Sequence, residues 1–320
     1  MRAGYRIVAL GGGTGLASLL LGIKHLPTEH LAAVVTVSDD GGSTGRLREE
    51  FDIPAVGDLR HCLVALAEDD ELLSRLFAFR FSGKGALGGH SLGNLLIAAL
   101  VEITGDFALA ARLSAEVLKV RGTILPATSA NVHLVGRDAA GRRLEGEREI
   151  TAHGPPVEVL LEPPDPPAVA EAVTAIRNAD LVLLGPGSLF TSLVPNLLVP
   201  GVVDALRRRR GPLVFVANLM TQARETVGMS LEDHVSALCR HAPGVSPDVV
   251  LANSVPPSAA ARARYAAESQ EPLVVADDRA WPGPGRLLPW PLLAETGDGL
   301  VRHDREALAA AVAQVAEEGA

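Results

Sequence analysis

Arg6-Ile-Val-Ala-Leu10 runs into Gly11-Gly-Gly-Thr-Gly15, and Leu16–Ile23 then continues at helical spacing. Strand, glycine-rich turn and helix, in that order, open a doubly wound α/β sheet. A second apolar run, Ala32–Val37, ends in Ser38-Asp-Asp-Gly-Gly-Ser-Thr-Gly45, so a second strand should deliver a second polar loop beside the first. Amphipathic patterns predict helices at Asp58–Ala67, Glu71–Phe79, Asn94–Ile103 and Phe107–Leu118. Ala130–Val135 and Arg143–Glu149 flank the turn Arg137–Gly141 and read as a β-hairpin. A proline-rich connector over 154–167 surrounds one short strand, Val157–Leu161. Strands at Leu181–Leu184, Leu213–Ala217 and Val249–Ala252 then alternate with helices near 167–178, 230–240 and 257–267. The Pro/Gly-rich stretch 281–291 reads as a loop, and Asp304–Glu318 as a closing helix. The expected fold is α/β, a Rossmann-like parallel sheet with helices on both faces. It forms one large domain over residues 1–320, with an inserted β-hairpin region at about 121–165.

Composition narrows the function classes. Hydrophobic residues make up 48% of the 320, enough for a full core and too many for a disordered chain. The 29 basic and 38 acidic residues leave a net charge of −9, which argues against a nucleic-acid partner. Cys62 and Cys239 lie far apart without CxxC spacing, which excludes a disulfide framework or zinc cluster. The apolar runs Leu16–Ile23 and Leu95–Val101 fall well short of the roughly 20 residues of a membrane helix. No signal-peptide layout precedes the first strand, so a cytoplasmic location is expected.

The chemistry concentrates in the loops that follow strands. Gly12, Gly13, Thr14 and Gly15 open a helix, where backbone N–H groups and close approach suit a phosphate. A dinucleotide fingerprint counted from Gly11 would need glycine where Leu16 stands, and a Walker A loop would end in Gly-Lys-Ser/Thr. A tight turn with no ligand is the plainer alternative. Asp39 and Asp40 end the second strand, with Ser43 and Thr44 just beyond. Paired carboxylates there suit a sugar hydroxyl or Mg²⁺, or one of them caps the next helix. Asp58, after Gly57, is either a helix cap or a third carboxylate; with Asp40 it makes the candidate metal pair. Gly89-His-Ser-Leu-Gly93 matches G-x-S-x-G, but the nucleophile elbow needs a strand before it and residues 81–88 read as a loop. Ser91 and Asn94 facing a ligand from a helix N-terminus is the preferred reading, with His90 the best site candidate among the histidines. Gly187 and Ser188 follow the strand Leu181–Leu184, and Asn218 follows Leu213–Ala217. Ligands of open α/β sheets lie outside such strand ends, so these segments should face one crevice. Arg207–Arg210 reads as a solvated helix end. Arg302-His-Asp304 either reaches a phosphate or caps the last helix. No residue is singled out as catalytic.

Taken together, Gly11–Gly15, Val35–Arg48, Gly57–Arg60, Gly89–Asn94, Leu125–Thr128, Gly185–Ser192 and Asn218–Gln222 with Glu225-Thr226 and Asp233-His234 resemble the YvcK-type gluconeogenesis factors. That family shares its fold with the CofD 2-phospho-lactate transferases. The resemblance implies a cytoplasmic regulator that binds UDP-N-acetylglucosamine or a related UDP-sugar and links carbon metabolism to cell-wall precursor synthesis and cell shape. It implies no established catalytic activity. The partners it suggests are an amino-sugar pathway enzyme and a second copy in a homodimer, with no nucleic acid and no membrane span. By the same resemblance, Gly12, Gly13, Thr14 and Gly15 meet phosphate or ribose, and Asp39 and Asp40 meet sugar hydroxyls or a metal. Ser43, Asn94, Gly187, Ser188 and Asn218 complete the pocket. The alternative is a 2-phospho-L-lactate transferase-like enzyme, transferring a phosphorus-containing group with Mg²⁺ and a nucleotide-activated donor. NAD is a further candidate only as an adventitious occupant of the crevice. Where some relatives carry a phosphorylatable Thr beside Arg-His-Asp, this chain has Arg305.

Overall fold

The computed structural model describes residues 4–68, 71–275 and 281–318. Its central sheet has seven strands: β1 (Tyr5–Gly11), β2 (Thr28–Val35), β3 (Thr123–Pro126), β7 (Leu181–Leu184), β8 (Leu213–Val216), β9 (Val249–Asn253) and β10 (Arg286–Trp290). They lie in the order β10-β9-β8-β7-β1-β2-β3, and all six pairings are parallel. A parallel sheet is covered on both faces, so its inner strands read as unbroken apolar runs; all four residues of Leu181–Leu184 and of Leu213–Val216 are buried. One helical layer packs Gly13–Ile23 against Gly57–Leu66 and Arg305–Glu318; the other packs Ala170–Asn178 against Pro200–Arg207.

The inserted region is a three-stranded antiparallel sheet, in the order β5-β4-β6, made of β4 (His133–Arg137), β5 (Arg143–Glu145) and β6 (Glu158–Glu162). The expected hairpin is present, but its second arm stops at Glu145. Gly146, at φ +75°, breaks the strand, and Gly146–His153 is a helix. A third, two-stranded sheet pairs β11 (Leu293–Glu295) with β12 (Val301–His303). Two further expectations need correction. The stretch read as a loop at 281–291 contains β10, and β3, inside the region 121–165 expected as an insertion, belongs to the central sheet beside β2. Both strands carry a proline, Pro289 and Pro126, and both are outermost, where a missing N–H donor is tolerated.

Among the described residues no single helix is long and apolar enough to cross a membrane. The apolar pair Leu189–Leu197 and Pro200–Arg207 is bent by 76°. Most of its apolar side chains, Phe190 and Val202 among them, belong to the core.

Candidate functional site

The chain builds β1, β2 and β3 outward in one direction and β7 to β10 outward in the other. The direction therefore reverses between β1 and β7, which pair at Ile7–Leu181 through Leu10–Leu184. The loops leaving these two strands diverge, and a crevice opens outside their carboxyl ends. Here the first and third glycine loops interlock: a Cβ on Gly15 would lie 2.5 Å from the Pro186 carbonyl oxygen. Gly13 has φ +62°, a conformation that L side chains rarely adopt. The helix Gly13–Ile23 starts at this crevice, and the helix Gly42–Phe51 starts from the second loop, next along the sheet; each has no side-chain cap and no acid in the first turn. Their free N–H groups and positive dipole ends favour an anion.

A cavity of about 410 Å³ lies along the crevice. Gly12, Gly13, Thr14 and Gly15 form one wall, and Gly187, Ser188 and Asn218 the other. Asn218 fixes the third loop by accepting from the Gly187 N–H (3.2 Å) and donating to its carbonyl (2.8 Å). Gln222 donates to Ser188 Oγ at 2.7 Å, while its buried Oε1 has no partner. Tyr265, Gln270, Arg302 and His303 close the far end. His303 Nε2 lies 3.1 Å from the Ala217 carbonyl, and burial pulls its pKa down to about 4.

Beside this cavity stands a cluster of carboxylates. One carboxylate oxygen each from Asp39, Asp40 and Glu147 lies within 4.8 Å of the other two. Asp40 Oδ1 is buried without a hydrogen-bond partner. Burial and the charge of Asp58 push the Asp39 carboxyl upward, and burial pushes up Asp40 against the opposing effect of Arg48. Glu147 is driven well above the usual range by burial and by the charges of Asp39, Asp58, Asp40 and Glu225. Asp58 reaches back to the first loop: a Cβ on Gly12 would stand 2.4 Å from its Oδ2. Glu225, 2% exposed, accepts the Phe190 N–H at 2.9 Å at the start of a π-helical turn, Leu189–Leu193, and burial pushes it up to about 7. An orphaned carboxylate oxygen among close, mutually repelling carboxylates fits an oxygen-ligated divalent cation. Asp39, Asp40 and Glu147 would hold it, with Asp58 beside them.

Asp40 also lines a second cavity, about 650 Å³, with Arg48, His133, Arg143 and Arg148. Arg48 is 4% exposed and ties the second loop to the inserted sheet, donating to the Ser38 and Asp39 carbonyls and to Asn131 Oδ1. Ser43 and Asn94 are buried behind the loops. Asn94 Nδ2 donates to Ser43 Oγ (3.2 Å) and Thr44 Oγ1 (3.4 Å), and its Oδ1 accepts from Arg60 Nε (2.9 Å). His90 Nδ1 lies 3.0 Å from Ser43 Oγ. Ser91 caps the helix Leu92–Thr104 by accepting the Asn94 N–H. A larger groove, about 800 Å³, lies between the helices Phe107–Val117 and Ala170–Asn178, and none of the loop residues reaches it.

Sequence reading assigned no role to Glu147 or Glu225. Glu147 lies in a segment read as the outer arm of a hairpin, and only the tertiary fold brings it to the strand-two acids. Glu225 follows no strand end; the one signal for it was its place in the ordered motif set.

The model of the 2-phospho-L-lactate transferase CofD family matches residues 7–282. The chain belongs to the CofD family. Within it, the chain is 42% identical over 308 residues to the gluconeogenesis factor of Halalkalibacterium halodurans, covering 96% of this chain and 95% of that one. It is 43% identical over 269 residues to the gluconeogenesis factor of Bacillus subtilis, covering 84% of each. A crystal structure of a Bacillus halodurans protein superposes with a TM-score of 0.91 at 42% identity, covering 98% and 99% of the two chains. The chain is thus a CofD-family member that stands among the gluconeogenesis factors, as the motif set implied.

Proposed function

We propose that this protein is a cytoplasmic regulator that binds a UDP-sugar, UDP-N-acetylglucosamine or a close relative, with a divalent cation at the carboxylate cluster. The observation that carries the reading is the juxtaposition of two uncapped helix N-termini with Asp39, Asp40, Asp58 and Glu147. The helix ends attract a pyrophosphate, but unit charges about 4 Å apart at a protein surface interact by roughly 4 kcal/mol. Phosphate beside these carboxylates is therefore repelled unless a cation stands between them. Asp39, Asp40 and Glu147 would hold Mg²⁺, which would supply that neutralisation. The glycine loops hold the pyrophosphate, and Asn218 and Gln222 keep the third loop in place. Ligand binding then biases one arrangement of the loops, through which a partner enzyme of amino-sugar synthesis reads the cell's carbon supply.

Titration calorimetry with UDP-N-acetylglucosamine tests this, with and without Mg²⁺ and with the ligand checked for turnover. The expected result is micromolar affinity, about −8 kcal/mol, that depends on Mg²⁺ and leaves the ligand intact. Asp40→Asn keeps the shape of the side chain and should weaken binding about tenfold or more with little change in melting temperature. Equal affinity with and without the cation would sink the cation role, and no binding at all would sink the ligand.

One observation favours a second reading. The carboxylate cluster borders two cavities, one with phosphate-type loops and one with Arg48, Arg143 and Arg148, which suits a donor and an acceptor meeting at a cation. A 2-phospho-L-lactate transferase-like activity would release nucleoside monophosphate from a nucleotide-activated phosphoacid in the presence of a deazaflavin acceptor and Mg²⁺. A folded sample that releases none would exclude it. NAD, whose pyrophosphate resembles that of a UDP-sugar, is an adventitious competitor in either case.

A further inference from the structure

The segment from Arg80 to Ser91 folds back on itself: the Phe81 N–H donates to the His90 carbonyl, and the Gly89 N–H to the Phe81 carbonyl. Two guanidinium groups hold its far end. Arg46, from the helix Gly42–Phe51, donates to the Gly88 carbonyl at 2.8 Å, and Arg80 donates to the next carbonyl, that of Gly89, at 2.5 Å. Gly89 leaves room for this, since a Cβ there would stand 3.3 Å from Arg46 Nη2. Both arginines are exposed, and among the described residues neither has an ion-pair partner; nor has Lys84 in the same segment. Like charges held on successive carbonyls repel each other unless an anion stands between them.

His90 follows directly and supplies a third donor. It is 5% exposed, with Nδ1 3.0 Å from Ser43 Oγ. Arg60 can only donate, so Asn94 Oδ1 faces Arg60 Nε and Asn94 Nδ2 donates to Ser43 Oγ. Among the described residues the buried Ser43 hydroxyl then has one acceptor in reach, His90 Nδ1, and the ring carries its proton on Nε2. Burial and the charges of Arg46 and Arg80, against the opposing charge of Glu50, hold His90 below the ordinary histidine range, so this neutral tautomer is the form present at neutral pH. The Nε2–H has no partner among the described residues and is not sealed from solvent.

We propose that Arg46, Arg80 and the His90 Nε2–H form a second anion site, separate from the crevice, that takes a phosphate monoester. Its terminal oxygens match this set: guanidinium forks pair with phosphate oxygens, and the imidazole N–H completes the shell. A shell made only of donors has nothing to offer a metal ion. None of the three residues lines the cavity at the glycine loops or the one beside the inserted sheet, so the site is independent of the UDP-sugar reading. The Ser43 bond nevertheless links it to the second loop, because Ser43 lies in the first turn of the helix that follows Asp39 and Asp40. A sugar phosphate and a phosphorylated side chain both carry the group, and the test separates them.

NMR of the histidine rings of the full chain tests it, with inorganic phosphate, glucose 6-phosphate and a phosphoserine peptide added at constant ionic strength. The His90 signals, assigned by their loss in His90→Gln, are expected to move saturably with phosphate. Whichever of the two esters saturates them at the lower concentration names the source. Arg46→Gln and Arg80→Gln each remove one charged fork from an exposed position, so each should keep the wild-type circular dichroism and weaken binding about tenfold. Arg80→Lys keeps the charge without the fork and should fall between wild type and Arg80→Gln. Phosphate bound only at the crevice leaves His90 still, which tells failure of this site from failure of the UDP-sugar reading. His90 signals that stay still with all three ligands overturn the proposal. So do equal affinities in the wild type and both glutamine variants.

Discussion

A methyl group on Gly12 would stand 2.4 Å from Asp58 Oδ2 and 2.6 Å from Thr36 Cγ2, so this one position sets the spacing between the first and second loops. Gly12→Ala must push Asp58 away or open the strand end. The expected cost is about 1–3 kcal/mol of stability, seen as a lower melting temperature, together with loss of cation-dependent ligand binding. Glu225 makes a different kind of prediction. Its carboxyl, pushed up to about 7, stays protonated in the folded protein while the unfolded chain ionises at the ordinary value for glutamate. The folded state is therefore favoured at the acid end of that window, and the advantage is lost as pH rises through about 7. The full swing is on the order of 3 kcal/mol. Thermal melts of Glu225→Gln should show a variant that gains on the wild type between about pH 5 and about pH 8; a parallel pair of curves would contradict the assignment. Cation binding at Asp39, Asp40 and Glu147 follows the same logic. All three carboxyls are raised, so protons compete with the ion and affinity should fall as pH falls.

The helix Leu92–Thr104 separates two roles that lie three residues apart. Ser91 only caps it, so Ser91→Ala should cost about 1 kcal/mol and leave ligand affinity near that of the wild type. Asn94 holds Ser43, Thr44 and Arg60, so Asn94→Ala leaves those buried groups without their partner and should weaken binding about tenfold. Calorimetry and melting curves on the two variants separate the effects. Other elements show what local sequence conceals. The hairpin arm expected over Arg143–Glu149 runs four residues into the helix Gly146–His153 because Arg143–Glu145 does alternate, and the break depends on the backbone angle of one glycine. Prolines hid β10, because proline argues against an inner strand and says nothing against an outer one. The π-helical turn Leu189–Leu193, where the Glu225 carboxylate docks, has no periodic signature of its own.

For the whole molecule, the parallel sheet and the meeting of the first and third glycine loops were legible because each loop directly follows an apolar run, whereas the second loop lines a cavity of its own. Position in a doubly wound sheet then fixes which end faces the ligand. The place where strand order reverses was not legible: adjacency of β1 and β7 is a pairing between segments some 170 residues apart. Neither was the carboxylate cluster as a whole, because two of its five members come from the inserted region and from the segment after β8.

Those outermost prolines have one more consequence. Pro126 and Pro289 each remove a donor from the ladder at a margin of the central sheet, and among the described residues neither strand has a neighbour on its far side. A strand arriving from another molecule meets an interrupted template on both flanks. Even at high concentration, end-to-end growth of sheets into fibrils is disfavoured, and the folded protein should stay clear of that route to aggregation.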